Sequence, residues 1–174
     1  AWEADILGER IANWIGHHDF FCASADDEFR ARFLDSLFRQ ARHLGRVATT
    51  VGDGTGLVQA AKGLVYAGTA LPEEKAWLAL GKRLLSERLP VQILADGCHA
   101  SRSPSRHLAV LRDLIDIRAC LRASGSNVPD TVEAAIERMA AMLRALRHGD
   151  GGLALFNDSN EEDALLIDAV LAQS

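Results

Sequence analysis

The feature that most constrains this chain is the spacing of its apolar residues, which recur every three or four positions almost from end to end. An α-helix turns once in about 3.6 residues, so this spacing gathers apolar side chains on one face and demands a surface to bury it. The cleanest stretch reads Val132, Ile136, Met139, Leu143 and Leu146. Val110, Leu114, Ile117 and Leu121 repeat the pattern, as do Leu7, Ile11 and Trp14 near the start. Phe33, Leu37 and Ala41, flanked by Leu34 and Leu44, mark another helix. A glycine-bounded helix is predicted over residues 56–68, through Leu57, Leu64 and Val65. Trp77, Leu80 and Leu84 line a further stripe, and Leu165, Leu166 and Val170 a last one.

Punctuation residues set the expected boundaries. Ser24 followed by Asp27 predicts a cap for the second helix. Pro72 is expected to open the fourth and Pro90 to close it. Ser103-Pro104 starts the fifth, since Ser can cap exposed N–H groups and Pro has no N–H to satisfy. Asp130 and Glu133 are expected to cap the sixth, and Ser159 with Glu162 to start the seventh after the glycine-rich break at 149–152. Residues 153–156 form the one short strand candidate. Seven helices with short connections make an all-α chain, read as a single domain over residues 1–174. Several helices are apolar on more than one side, as when a helix lies between neighbours in a layered array of antiparallel pairs.

Charge and cysteine content narrow the chemistry. A net charge of −5 gives no general electrostatic support for nucleic acid, so no such partner is expected. No segment reaches the roughly 18 apolar residues that span a bilayer. Cys22, Cys98 and Cys120 show neither a disulfide framework nor zinc spacing, and His17-His18 lacks further ligands, so neither metal nor cofactor is expected. Arg outnumbers Lys 16 to 3. Guanidinium forks grip carboxylates and sulfates at two points, which suits acidic sugars, although codon bias gives the same excess. The chain opens Ala1-Trp2-Glu3 without Met and stops just after a helical pattern, which suggests a piece of a longer protein.

One stretch concentrates polar chemistry. Asp96, His99, Arg102, Ser103, Arg106 and His107 fall within a dozen residues around a helix start. Cationic side chains in a helix's first turn oppose its dipole, and a bound anion would reverse that penalty. The expectation is therefore an anion-contacting patch; the alternative is an Arg that pairs with Asp96 and merely shapes the loop. His99 is the candidate proton-transfer group, because an unperturbed imidazole titrates near pH 6.5; the alternative is a loop-stabilising hydrogen bonder. His148, with Asp150 and Asn157, is a second candidate for lining a sugar cleft, against a plain helix stop built on turn glycines.

Four stretches together resemble the heparinase II/III family. They are Arg10-Ile11-Ala12-Asn13-Trp14-Ile15, Ala61-Lys62-Gly63-Leu64-Val65-Tyr66-Ala67-Gly68, Asp96-Gly97-Cys98-His99-Ala100-Ser101-Arg102-Ser103-Pro104 and His148-Gly149-Asp150-Gly151-Gly152-Leu153. The resemblance implies an incomplete α/α toroid followed, in the family, by a C-terminal β-sandwich that this chain does not contain. It also implies a bacterial protein, periplasmic or cytoplasmic, acting by β-elimination on an acidic polysaccharide or oligosaccharide. Where lyases of this type carry a Tyr two positions after the Ser-Pro pair, this chain has Arg106. Where they carry an Asn or His pair ahead of the third helix, it reads Asp53-Gly54-Thr55-Gly56. Tyr66, the single tyrosine, falls within an apolar helical run and is expected in the core. Three readings follow: part of a lyase, a saccharide-binding module without the elimination chemistry, or a helical scaffold.

Overall fold

The computed structural model describes residues 2–71 and 75–174. Eight α-helices are found there: α1 (Ala4–Gly16), α2 (His18–Cys22), α3 (Asp27–Val47), α4 (Thr55–Ala70), α5 (Lys75–Gln92), α6 (Pro104–Ala123), α7 (Asp130–Ala145) and α8 (Ala164–Gln173). The all-α class expected from periodicity is the class observed. Helix α2 is additional, because five residues are too few for a periodicity to register. The strand candidate at 153–156 reduces to an isolated bridge between Arg147 and Leu153. Among the described residues no helix is long and apolar enough to cross a membrane.

Several boundaries differ from expectation, each for a local reason. Asp26, not Ser24, caps α3 by accepting from the Phe29 N–H at 2.7 Å. The expected start at Pro72 lies outside the described residues. Pro90 does not close α5 but sits in its last turn, where the Ile93 N–H still reaches the Leu89 carbonyl at 2.9 Å. Asp130 and Glu133 make no cap; α7 follows Pro129, and Glu133 instead pairs with Arg122 at 2.7 Å. Asp163 rather than Ser159 caps α8, through the Leu165 N–H at 2.8 Å.

Helix α4 occupies the centre, packed by α1, α3, α5 and α6, with ten of its sixteen residues buried. That explains why its sequence is apolar around the whole circumference. It crosses α1 at two glycines: a Cβ on Gly63 would sit 2.5 Å from the Gly8 Cα, and one on Gly8 would sit 2.1 Å from the Gln59 carbonyl oxygen. Only bare backbone fits there. One charge enters this apolar helix. Lys62 Nζ lies 2.8 Å from both Asp113 and Asp116 on α6, and 3.7 Å from Glu9 on α1. Burial alone would discharge this lysine, but the two α6 carboxylates outweigh it and hold its pKa above the ordinary value. Burial meanwhile pushes Asp113 up to about 6, against the pull of Lys62.

The remaining helices extend one continuous core: α7 packs on α5 and α6, and α8 on α6 and α7. The start of α4, the end of α5 and the start of α6 converge on one groove, and there the polar residues gather.

Candidate functional site

The groove has a volume of about 550 Å³. Residues 52–56 form one wall, His99, Ala100, Ser101 and Arg106 the other, and Val91 and Gln92 at the end of α5 complete the lining. Helix α5 holds the first wall in place. Buried Gln92, with its amide oriented to satisfy both ends, donates to the Gly54 carbonyl at 3.1 Å and accepts from the Gly54 N–H at 3.2 Å. Arg88 pairs with Asp53 at 3.0 Å. Gly54 takes φ +138°, a conformation that L side chains rarely adopt, and α4 begins behind it with no side-chain cap and no acid in its first turn.

The opposite wall is fixed by backbone pairing and a buried histidine. The Leu94 N–H donates to the Cys98 carbonyl (2.9 Å) and the Ala100 N–H to the Gln92 carbonyl (2.8 Å), clipping the loop onto the end of α5. Gly97 turns the loop at φ +83°, where any Cβ would lie 2.4 Å from the Arg138 carbonyl oxygen of α7. His107 was expected beside a ligand, but it is fully buried and presents no free atom. Its Nδ1 accepts from the His99 N–H at 3.2 Å, and its Nε2–H donates to the Met139 carbonyl at 2.9 Å. Burial pulls its pKa below the ordinary imidazole value, so it serves as a neutral tie between the loop and α7.

His99 is also buried, at 2% exposure, and lines the groove. The Ser101 N–H donates to its Nδ1 at 3.2 Å, and the Ser101 hydroxyl lies 2.8 Å from the same nitrogen. That hydroxyl oxygen accepts from the Ser103 N–H at 3.3 Å, which leaves its proton free to point at the imidazole. Nε2 is buried and has no hydrogen-bond partner among the described residues. Burial, reinforced by the nearby His107 and Arg106, holds the His99 pKa below its ordinary value.

The start of α6 is differently furnished. Convergence of its N–H groups and two guanidiniums on one anion was expected, but the protein itself fills the place. Pro104 has no N–H, and the N–H groups of Ser105, Arg106 and His107 go to Ser159 Oγ (3.2 Å), Ser103 Oγ (3.5 Å) and the Ser103 carbonyl (2.9 Å). Ser103 Oγ also meets Ser159 Oγ at 3.0 Å, and Ser105 Oγ exchanges hydrogen bonds with the Asn160 backbone. Asp158 pairs with Arg106 at 3.1 Å, and Asp96 pairs with Arg102. The Cys98 N–H and Arg102 together hold the Asp96 pKa low. Asn157 donates to the Arg102 carbonyl at 3.0 Å, bracing a residue at φ +54°. Asn157 therefore joins the loop but not the groove wall.

His148 lies elsewhere. With Asp150, Leu155, Glu161 and Glu162 it lines a separate groove of about 590 Å³. Trp14, on the apolar stripe of α1, is half-buried and lines an apolar cleft with Phe21, Phe29 and Phe33. Tyr66 is half-buried on α4, with its pKa pushed up to about 12 by burial and by Asp116. Eleven residues along the helix separate it from Thr55, a rise of about 16 Å. Sequence reasoning missed Gln92, Ser101 and the capping 158–160 segment. Only Ser101, two positions after His99, carried a local signal for its role.

The heparinase II/III N-terminus family matches residues 1–173. FtsZ-localized protein C of Caulobacter vibrioides is 28% identical over 172 residues, covering 99% of this chain and 30% of that protein. A heparin-sulfate lyase of Bacteroides thetaiotaomicron is 26% identical, covering 91% of this chain and 24% of the lyase. A crystal structure of heparinase III matches with a TM-score of 0.81 at 22% identity, over 94% of this chain and 27% of that one. That likeness shows the shared helical fold. The chain spans less than a third of the length of each of these proteins.

Proposed function

This chain belongs to the heparinase II/III N-terminus family, and on that premise we propose that it is the saccharide-gripping helical half of a polysaccharide lyase acting on a uronic-acid-containing polymer. The observation that carries this reading is the groove between residues 52–56 and His99, where an uncapped helix start, an unpartnered imidazole nitrogen and Arg106 adjoin. Each favours negative charge, and together they suit a carboxylate or sulfate. In β-elimination a base removes the proton beside the carboxylate, the electron pair forms a double bond, and the glycosidic oxygen leaves with a proton from an acid. Neutralising the carboxylate makes that proton removable, and this is the contribution the groove suits.

The base and acid are a different matter. Arg106 stands where lyases of this type carry tyrosine, and a guanidinium stays protonated at any usable pH. Tyr66 is remote and hard to ionise. We therefore assign proton transfer to groups outside this chain, in the C-terminal β-sandwich expected of the family. The chain alone should generate no unsaturated product from any acidic polysaccharide; measurable turnover would overturn this division of labour.

A second reading, a binding module without elimination chemistry, is favoured by the pairing of Arg106 with Asp158 and by kinship to a protein named for localisation rather than catalysis. Both readings require acidic-saccharide binding. Titration with acidic and neutral oligosaccharides of equal length, at low and high salt, tests that requirement. Saturable, salt-sensitive binding of the acidic set, weakened in R106A, is expected; equal affinity for the neutral set would sink it. Assay of the longer parent protein for unsaturated products then separates the two readings.

A further inference from the structure

We propose that His99 acts as a neutral hydrogen-bond donor to the anionic group of the saccharide, fixed as the Nε2–H tautomer by Ser101, and not as a general base. This rests on the reading of the groove as a saccharide site and assigns the role of one residue within it. The Ser101 backbone fixes the tautomer. An amide N–H can only donate, so the nitrogen it meets at 3.2 Å must offer a lone pair. The Ser101 hydroxyl at 2.8 Å accepts from the Ser103 N–H and keeps its proton for the same Nδ1 lone pair, which fits that assignment. A neutral imidazole with a bare Nδ1 carries its proton on Nε2.

His107 shows the same arrangement completed. Its Nδ1 accepts a backbone N–H, and its Nε2–H finds the Met139 carbonyl. In His99 the first half is identical and the second half is missing: among the described residues the buried Nε2–H has no partner, and it belongs to a residue that is 2% exposed and lines the groove. A buried N–H left unpaired is costly, and a ligand oxygen in the groove would satisfy it. Beside it the start of α4 has no side-chain cap; the Leu57 N–H meets the Gly54 carbonyl at 3.2 Å, which leaves the Thr55 and Gly56 N–H groups for the same anion.

The charged and titratable neighbours agree with a neutral ring. Arg106 and His107 face it from α6, Asp53 lines the far wall already paired with Arg88, and Asp96 is taken by Arg102. Among the described residues no carboxylate pairs with the His99 ring to stabilise an imidazolium. Protonation would also set an Nδ1–H against the Ser101 N–H.

The test uses the 174-residue chain with an unsulfated uronate oligosaccharide and, separately, a sulfated oligosaccharide lacking uronate. The arm that binds identifies the anion as carboxylate or sulfate. H99Q places an amide N–H near the Nε2 position, whereas H99L removes the donor; thermal melts confirm that both fold. H99Q should bind within about threefold of wild type and H99L at least about tenfold more weakly. Wild-type affinity should stay level from pH 8 to pH 6, and long-range 1H–15N spectra should show the Nε2–H tautomer. Equal loss in both variants, affinity that follows His99 protonation, or an Nδ1–H tautomer would overturn the assignment. Binding retained by H99L rejects the His99 role while leaving the saccharide reading intact. No binding by wild type removes the saccharide reading, and this proposal with it.

Discussion

Helices α6 and α4 both begin at the groove, and they differ in what satisfies their first turns. At α6 every available N–H of the first turn is taken by Ser103 or Ser159, and the adjoining Arg106 is matched by Asp158. At α4 no side chain caps the helix, and the nearest imidazole keeps an unpartnered nitrogen. The same contrast runs through the two histidines, one with both ring nitrogens engaged and one with a single nitrogen engaged. Where the protein completes its own hydrogen bonds the feature supports architecture, and where it leaves them open beside a cavity it suits a ligand.

The largest expected effect comes from breaking the closed side of this contrast. H107L strands the His99 N–H and the Met139 carbonyl in the core, and should lower stability by about 3 kcal/mol in a denaturant titration. H99L removes a donor that already lacks a partner, together with the Nδ1 that accepts from the half-buried Ser101 N–H, and should cost less than H107L, about 1 kcal/mol. Equal costs would erase the distinction between the two histidines. The pH dependence sharpens it. Burial depresses the folded pKa of His107, so its contribution is present above the unfolded value of about 6.5 and is lost as pH falls towards the folded value. Acidification below about pH 6.5 should therefore destabilise wild type more steeply than H107L.

A smaller effect is expected at the α6 cap. S159A leaves the Ser105 N–H unpaired and should cost about 1 kcal/mol, with saccharide affinity unchanged because that terminus is not the ligand site. An affinity loss as large as that of H99L would place the ligand at α6 instead. Smallest in stability is T55D, which puts an acid in the first turn of α4 and should gain a few tenths of a kcal/mol from the helix dipole. The same carboxylate occupies the anion's place, so saccharide binding should fall about tenfold or more.

Much of the fold was legible because it rests on local spacing. The stripe from Val132 to Leu146 and the Ser103-Pro104 start are properties of neighbouring residues, and both stand as read. The central position of α4 was visible in its all-round apolar sequence, although the crossing of Gly8 with Gly63 was not. The cluster at residues 96–107 was legible as a concentration of polar chemistry, but not which side of it was open. That depended on partners far along the chain: Met139 for His107, Asp158 and Ser159 for the α6 start, and Gly54 for Gln92. No local pattern announces a bond across more than 30 residues, and so the arginines and His107 looked free when they were not.

The most direct test of the account is to map backbone amide shifts of the chain during titration with a uronate oligosaccharide. The account predicts saturable shifts at Thr55, Gly56, Leu57 and Ser101, around the open start of α4, with Ser105 and His107 little changed. Shifts centred on Ser105 and His107, with Thr55 and Ser101 unmoved, would put the ligand at the start of α6 and contradict it.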